Sequence, residues 1–247
     1  MATVSISAVA PSRWLRLAAF SAIYFLWGAS FLAIRVIVAS VPPILAAGVR
    51  FLSAGLILFA WSQLRGDSFP KLNEWRSAIF LGVVMFACNY GPLFWAEQRV
   101  PSGVAAIISA LIPVWIAIFE WARSRSGMPR GLIVGTACGL SGVIVLSLAP
   151  GRAYSERIDL AGVGALLVGT LAWSVGTIWS RQLPLPKSKP TSAGIQMMLG
   201  GLTLTLVSLF SGDARRFAPT EMNLRVALSM AYLVIAASIV AFTAYVW

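Results

Sequence analysis

The chain has 247 residues, of which 59% are hydrophobic and only 11% charged; its mean hydropathy is +0.84 and its formal net charge +11. A water-soluble domain carries about 25% charged residues, so the composition excludes a soluble fold and points to a polytopic helical membrane protein. There is no His, which removes imidazole metal ligands and His-based acid–base chemistry. The two Cys, Cys88 and Cys138, fall in apolar stretches and read as small buried residues rather than as a disulfide or metal cluster.

Eight apolar segments follow in order. A short tail with Arg13 and Arg16 leads into the first, about Trp14–Val38, which reads as a retained helix rather than a signal peptide. Val41-Pro42-Pro43 turns the chain into the second, about Pro43–Trp61. The polar loop Gln63–Asn73 precedes the third, about Trp75–Trp95. Glu97–Ser102 is a tight connection, with Pro101 suited to a helix start. The fourth runs about Gly103–Ala122 and the glycine-rich fifth about Gly131–Ala149. After the polar loop Pro150–Asp159 come the sixth (about Leu160–Arg181), the seventh (about Thr191–Phe210) and the eighth (about Leu224–Trp247).

The basic residues sit in short loops between these spans without forming a continuous basic face. They read as topology signals, and no nucleic-acid partner is expected. Eleven lie in the N-terminal tail and the loops after segments two, four and six; six lie on the other side. By the positive-inside rule the N-terminus is then cytoplasmic.

The second segment contains AGVRFLSAGL (Ala47–Leu56), and AGIQMMLGGL (Ala193–Leu202) recurs 146 residues later, with Gln196 in place of Arg50. Trp27 and Arg35 in segment one repeat at the same offset as Trp173 and Arg181 in segment six. Five spans separate each pair, an odd number, so the two copies should run in opposite directions across the membrane. Inverted repeats of this kind are typical of secondary transporters with a central site.

WGASFLAIR in segment one, LAAGVRF (Leu45–Phe51) in segment two, and NYGPLFWAEQRVPSGVAAIISALIPVW across segments three and four resemble an EamA-type member of the drug/metabolite transporter superfamily. So do the glycine-rich GTACGLSGVIVL of segment five and, in the second half, LAWSVGTIWSR and AGIQMMLGGL. The resemblance implies two inverted five-helix repeats forming a ten-helix bundle. Residues 1–149 would be the first repeat, 150–159 the inter-repeat loop and 160–247 a partial second repeat of three helices. Two departures stand out. The Glu that often follows the fourth helix is missing from ARSRSGMPR, and Tyr245-Val246-Trp247 aligns by pattern with Leu93-Phe94-Trp95. Eight of ten expected helices are therefore present.

Arg50 is the costliest residue: a central Arg in a span costs roughly 2.5–3.5 kcal/mol on insertion scales, so it should face the bundle interior, where it can bind an anionic group. Gln196, in the matching position, offers a neutral donor and acceptor. Asn89, Tyr90, Trp27, Trp173 and Trp179 are further candidates for lining a substrate cavity. Gly91, Pro92 and Pro113 are candidate kink or hinge positions. Arg35 and Arg181, near segment ends, read as snorkelling anchors, and Glu120 as an interface-exposed acid. No phosphate-binding GxxxxGK[ST] is present, which removes ATP-driven transport within this chain, and neither a cofactor nor a metal is expected.

The reading is a secondary transporter in the bacterial inner membrane, an exporter of small metabolites such as amino acids, working by alternating access. Its partners are the lipid bilayer and a small-molecule substrate; a homodimer is a further expectation. An enzyme is not expected, because there is neither a His nor a close pair of acids. The alternative is a truncated, non-transporting membrane protein or subunit.

Overall fold

A computed structural model describes residues 13–124 and 159–246, together with parts of 130–141. Most of segment five and of the inter-repeat loop lies outside the described residues. The other seven segments are helices, and no strand occurs among the described residues. They are α1 (Arg13–Val38), α2 (Pro43–Leu64), α3 (Leu72–Ala96), α4 (Ser102–Ser109 and Ile112–Ser124), α5 (Leu160–Ser180), α6 (Lys189–Phe210) and α7 (Leu224–Tyr232, Leu233–Val240 and Ala241–Val246). Six of them are long and apolar enough to cross a membrane, and α1 contributes the apolar stretch Ile23–Val38. Their outer faces expose Leu32, Ile57, Val168, Ile235 and Phe210, side chains that only a hydrocarbon solvent accepts in such numbers. The protein is an all-α polytopic membrane protein.

Local chemistry sets the helix ends. Pro43 opens α2, where its missing N–H costs nothing. Asp159, Ser188 and Asn223 cap α5, α6 and α7 by accepting backbone N–H bonds from Ala161, Thr191 and Val226. The chain enters α4 through Pro101, as its sequence position suggests.

The bundle is organised on α2 and α6, which pack against one another more extensively than any other pair. They run antiparallel, and small residues set their separation. A Cβ on Gly48 would come within 2.7 Å of Thr205 N, and one on Gly194 within 2.8 Å of Phe59 N. Gly55 faces the backbone of Met198 and Gly201 that of Leu52, even more closely. Gly194 and Gly201 are the 146-residue counterparts of Gly48 and Gly55, and Thr205 and Met198 those of Phe59 and Leu52. The contacts are therefore reciprocal: each helix presents to the other what the other presents to it. Without a hydrophobic driving force between helices in lipid, such close backbone approach is what holds them together.

Both ends of this seam are pinned by an aspartate. Gly66 and Gly212 leave α2 and α6 with φ of 83° and 78°, the left-handed turn that glycine adopts without strain. Each is followed by Asp. Asp213 Oδ2 accepts from Leu45 N at 3.1 Å and Ser208 Oγ at 3.1 Å, tying the end of α6 to the start of α2. Asp67 Oδ2 accepts from Ser188 Oγ at 2.5 Å and Thr191 Oγ1 at 3.3 Å, tying the end of α2 to the start of α6.

The remaining helices surround this pair. The α1–α2 turn, the α3–α4 connection and the start of α5 share one end of the bundle, as the 3.5 Å Arg99–Asp159 ion pair shows. The α2–α3 and α5–α6 connections share the other. Two helices contain π-helical turns. Gly82–Ala87 of α3 and Leu233–Val240 of α7 are π-helical, with i→i+5 bonding that widens the helix.

Two expectations need correction here. Cys88 and Cys138 are free thiols but exposed rather than buried; on the outer face of a membrane bundle an apolar thiol needs no protein core. Arg35 is not a snorkelling anchor. Its Nη1 donates to the carbonyls of Glu97 and Val100, which hold the side chain on the α3–α4 connection.

Replacing Gly201 with Ala should lower stability by about 1–3 kcal/mol through overpacking of the seam. Gly164→Ala, where an added Cβ meets nothing within 4 Å, should leave it unchanged or slightly raised. Thermal unfolding of the purified variants in detergent checks the pair.

Candidate functional site

Arg50 lies on the inner side of α2 and is only 1% exposed. Its Nε donates to Ser238 Oγ at 3.0 Å, in the π-helical part of α7, while its Nη1 is buried without a hydrogen-bond partner among the described residues. The guanidinium lies over the rings of Phe51 (4.5 Å), Tyr90 (5.2 Å) and Phe94 (6.0 Å). Ring faces attract a cation by about 0.5–2 kcal/mol each, and here they stand in for the carboxylate that a buried Arg usually has. The side chain thus keeps an unused donor inside an apolar shell.

The aromatic shell is continuous. Phe51 meets Phe86 at 5.1 Å and Tyr90 at 4.3 Å; Phe86 meets Trp173 at 5.8 Å and Phe242 at 5.5 Å. Trp27 packs edge-on against Trp173 at 6.5 Å, although they come from equivalent places in segments one and six, and its Nε1 donates to Ala237 O at 3.0 Å. Both π-helical segments feed this layer, the first through Phe86 and the second through Ala237 and Ser238.

On the other side of the layer is a cavity of about 270 Å³, walled by Met85, Thr177, Ser180, Ser192, Gln196 and Phe242 and rimmed by Arg181 and Lys189. It contains no carboxylate among its lining residues. Gln196 is 6% exposed and donates Nε2 to Ser192 Oγ at 2.9 Å. Arg181 at the rim pairs with Glu120, itself half exposed. The cavity therefore combines neutral hydroxyl and amide groups in its interior with Lys189 and the Arg181–Glu120 pair at its mouth, next to the α5–α6 connection.

Arg50 and Gln196 consequently do not share one chamber. Because α2 and α6 are antiparallel with Gly55 opposite Met198, the two residues lie about 10 Å apart along the helix axes at the ordinary helical rise. The aromatic layer stands between them. Tyr90, Trp27 and Trp173 belong to that layer. Asn89 is buried at the α3–α5 contact, its Oδ1 facing Gly169. Trp179 is half exposed and packs on Phe80 at 5.6 Å, outside the cavity.

The kink positions also resolve. α3 continues as α-helix through Gly91 and Pro92, and its irregularity lies earlier, at Gly82–Ala87. In α4 the helix breaks at Ala110–Leu111, immediately before Ile112-Pro113. Pro113 has no N–H for the carbonyl of Ser109, and Ser174 Oγ of α5 donates to Ile112 O at 3.2 Å beside the break. Sequence reading missed three parts of the site: the π-helical segments, the cavity residues Thr177, Ser180, Ser192 and Lys189, and the two aspartate pins. The pins had a signal, since Gly66-Asp67 and Gly212-Asp213 repeat at the 146-residue offset; LVIAASIV carries none.

A family model described as the EamA-like transporter family matches residues 14–148, more than half of the chain. The inner membrane transporter YedA of Escherichia coli (strain K12), itself described as uncharacterized, is 33% identical over 231 residues, covering 93% of this chain and 72% of YedA. The chain belongs to the EamA-like transporter family. Other relatives of this family member include Protein PecM of Dickeya dadantii, 25% identical over 90% of this chain and 70% of PecM. WAT1-related protein At3g02690 of Arabidopsis thaliana is 25% identical over 77% of this chain and 46% of the plant protein. One solved crystal structure superposes with a TM-score of 0.69 over 96% of this chain and 79% of its own, at 21% identity, which places the fold alone. The sequence resemblance to EamA transporters is thereby shown, and the protein is a multi-pass membrane transporter of that family.

If the aromatic layer seals Arg50 from the cavity, Phe86→Ala should open it. A thiol placed by Ser238→Cys, in a Cys88→Ser, Cys138→Ser background, should react with a water-soluble maleimide at least tenfold faster once Phe86 is truncated. An unchanged rate would show that another element forms the seal.

Proposed function

We propose that this EamA-family transporter exports a small metabolite with an anionic group, such as an amino acid or related compound, across a bacterial inner membrane by alternating access. The observation that carries this reading is the cavity itself, open beside the α5–α6 connection and closed at the aromatic layer. Its volume lies just below the ~300–1,000 Å³ typical of drug-sized ligand sites, which suits a small solute. Arg181 and Lys189 at the mouth attract an anionic group, and Gln196 and Ser192 within offer neutral hydrogen bonds to the rest of it. With the N-terminus cytoplasmic, the mouth faces the cytoplasm, the side from which an exporter loads.

The reciprocal α2–α6 contacts support reading residues 1–149 and 160–247 as two inverted repeats joined by 150–159. The halves rock about the glycine seam, which stays closed while the helices around it change their tilt. The π-helical segments and the break at Ala110–Leu111 are where those helices yield. Substrate moves from the Gln196 side to the Arg50 side when the aromatic layer parts. Arg50, with a free donor and no carboxylate partner, then takes the anionic group that the rim cations release. Tyr90, Trp27 and Trp173 act on this path; Asn89 and Trp179 are assigned to it only through their places beside Tyr90 in α3 and at the end of α5.

A panel of amino acids and small carboxylates screened by thermal shift tests the reading. A ligand at 100 times its Kd stabilises a folded protein by about 2.7 kcal/mol. Gln196→Ala should weaken binding of the best ligand at least tenfold. Arg50→Ala should change that binding by no more than a few-fold, yet abolish its transport in proteoliposomes. No ligand in the panel, or transport surviving Arg50→Ala, would overturn the assignment and favour a non-transporting membrane protein.

A further inference from the structure

At the end of the bundle opposite the cavity mouth, one acid is completely enclosed. Glu97, the first residue after α3, is 0% exposed. Its Oε2 accepts from Ser102 Oγ at 2.8 Å, and its Oε1 is buried with no hydrogen-bond partner among the described residues. The connection around it is clasped from α1: Arg35 donates to the carbonyls of Glu97 and Val100, and Gln98 Nε2 donates to Val38 O at 2.9 Å. Gly162 at the start of α5 packs on Val100 and Arg99. Glu97 therefore lies where α1, α3, α4 and α5 meet, in a seal that must part if this end is to open.

The surrounding charges do not neutralise it. Arg35 faces it from α1 but gives its Nη1 to backbone carbonyls. Arg99 and Asp159, from the connection and from α5, pair with one another. Arg216, beside Gln98, pairs with Asp213. From α4 the only polar partner is the Ser102 hydroxyl. Among the described residues a carboxylate here has a single hydrogen bond and no side-chain ion pair, a costly state; a carboxylic acid in the same place is neutral.

We propose that Glu97 is a proton-binding latch on this end of the transporter: the neutral acid lets the four helices close over it, and the carboxylate, needing water, drives them apart. The inference rests on the transporter reading for its use but not for its measurement. Burial raises the Glu97 carboxyl from its ordinary value of 4.5 to about 7, against the opposing pull of the Ser102 hydrogen bond and the Arg35 charge. In an open, hydrated state it would return toward the ordinary value. The closed end is thus favoured fully below the open-state value, and that preference is lost as pH rises through about 7. Between those limits the closed-to-open ratio changes by up to ~300-fold. The site gives the transporter a response to acidity on the face where cargo is released.

Double electron–electron resonance tests the latch without any substrate. Spin labels go at Ala39→Cys and Leu160→Cys, both exposed at this end, in the Cys88→Ser, Cys138→Ser protein in nanodiscs. The expected result is a single short distance at about pH 5.5 and a growing longer population toward about pH 8.5, with a midpoint near 7. Glu97→Gln, neutral at every pH, should stay closed throughout. Ser102→Ala, which removes the bond favouring the carboxylate, should move the midpoint upward, an effect that a merely structural role for Glu97 would not produce. Distances that do not change with pH, or a Glu97→Gln protein that keeps the response, overturn the proposal. A pH response without transport of any solute would sink the transport assignment and leave the latch standing.

Discussion

Close backbone approach between α2 and α6 is the constraint on which the rest of the bundle depends. In lipid, apolar side chains gain little by leaving the solvent, so two helices stay together by fitting. Four glycines at reciprocal positions let the backbones meet, and two aspartates, each behind a left-handed glycine, hold the helix ends to one another. With the seam fixed, α3 and α7 take equivalent places on its two sides. Their π-helical segments then direct Phe86 from one side and Ser238 from the other toward the centre.

From that arrangement comes the division between the two polar residues of the seam helices. Gln196 lines the cavity beside the α5–α6 connection, and Arg50 is shut behind aromatic rings. A cation over three ring faces is stable enough to be buried yet keeps a donor unused, which is the condition required of a group that must release one partner and accept another. In the proposed cycle the polar cavity and the sealed arginine are the two ends of one route. In that cycle the aromatic layer is the gate between them.

Much of this architecture was legible in the chain. Among the described residues, the seven apolar segments other than the fifth became helices at nearly the expected positions, because a span needs its length and hydropathy whatever its neighbours do. The AGxxxxxxGL repeat pointed to the two helices that proved to be the seam, and Pro113 to the break in α4. What could not be read was how a polar residue is shared among helices. Arg35 near a segment end resembles an interfacial anchor until the α3–α4 carbonyls are placed beside it. Asn89 and Tyr90 are adjacent in sequence, yet one faces α5 and the other the arginine. Thr177, Ser180 and Ser192 are ordinary small residues until α5 and α6 bring them to one wall. The π-helical run at Leu233–Val240 has no local signal because tertiary packing imposes it.

The central claim is that the cavity reaches only one face of the membrane at a time, and the sidedness of a single thiol tests it most directly. A Thr177→Cys protein without its native cysteines, in sealed vesicles of both orientations, would be exposed to a membrane-impermeant maleimide. Labelling from the face that carries the α5–α6 connection, with none from the other, is the expected result. Equal labelling from both faces would describe an open pore and contradict the account.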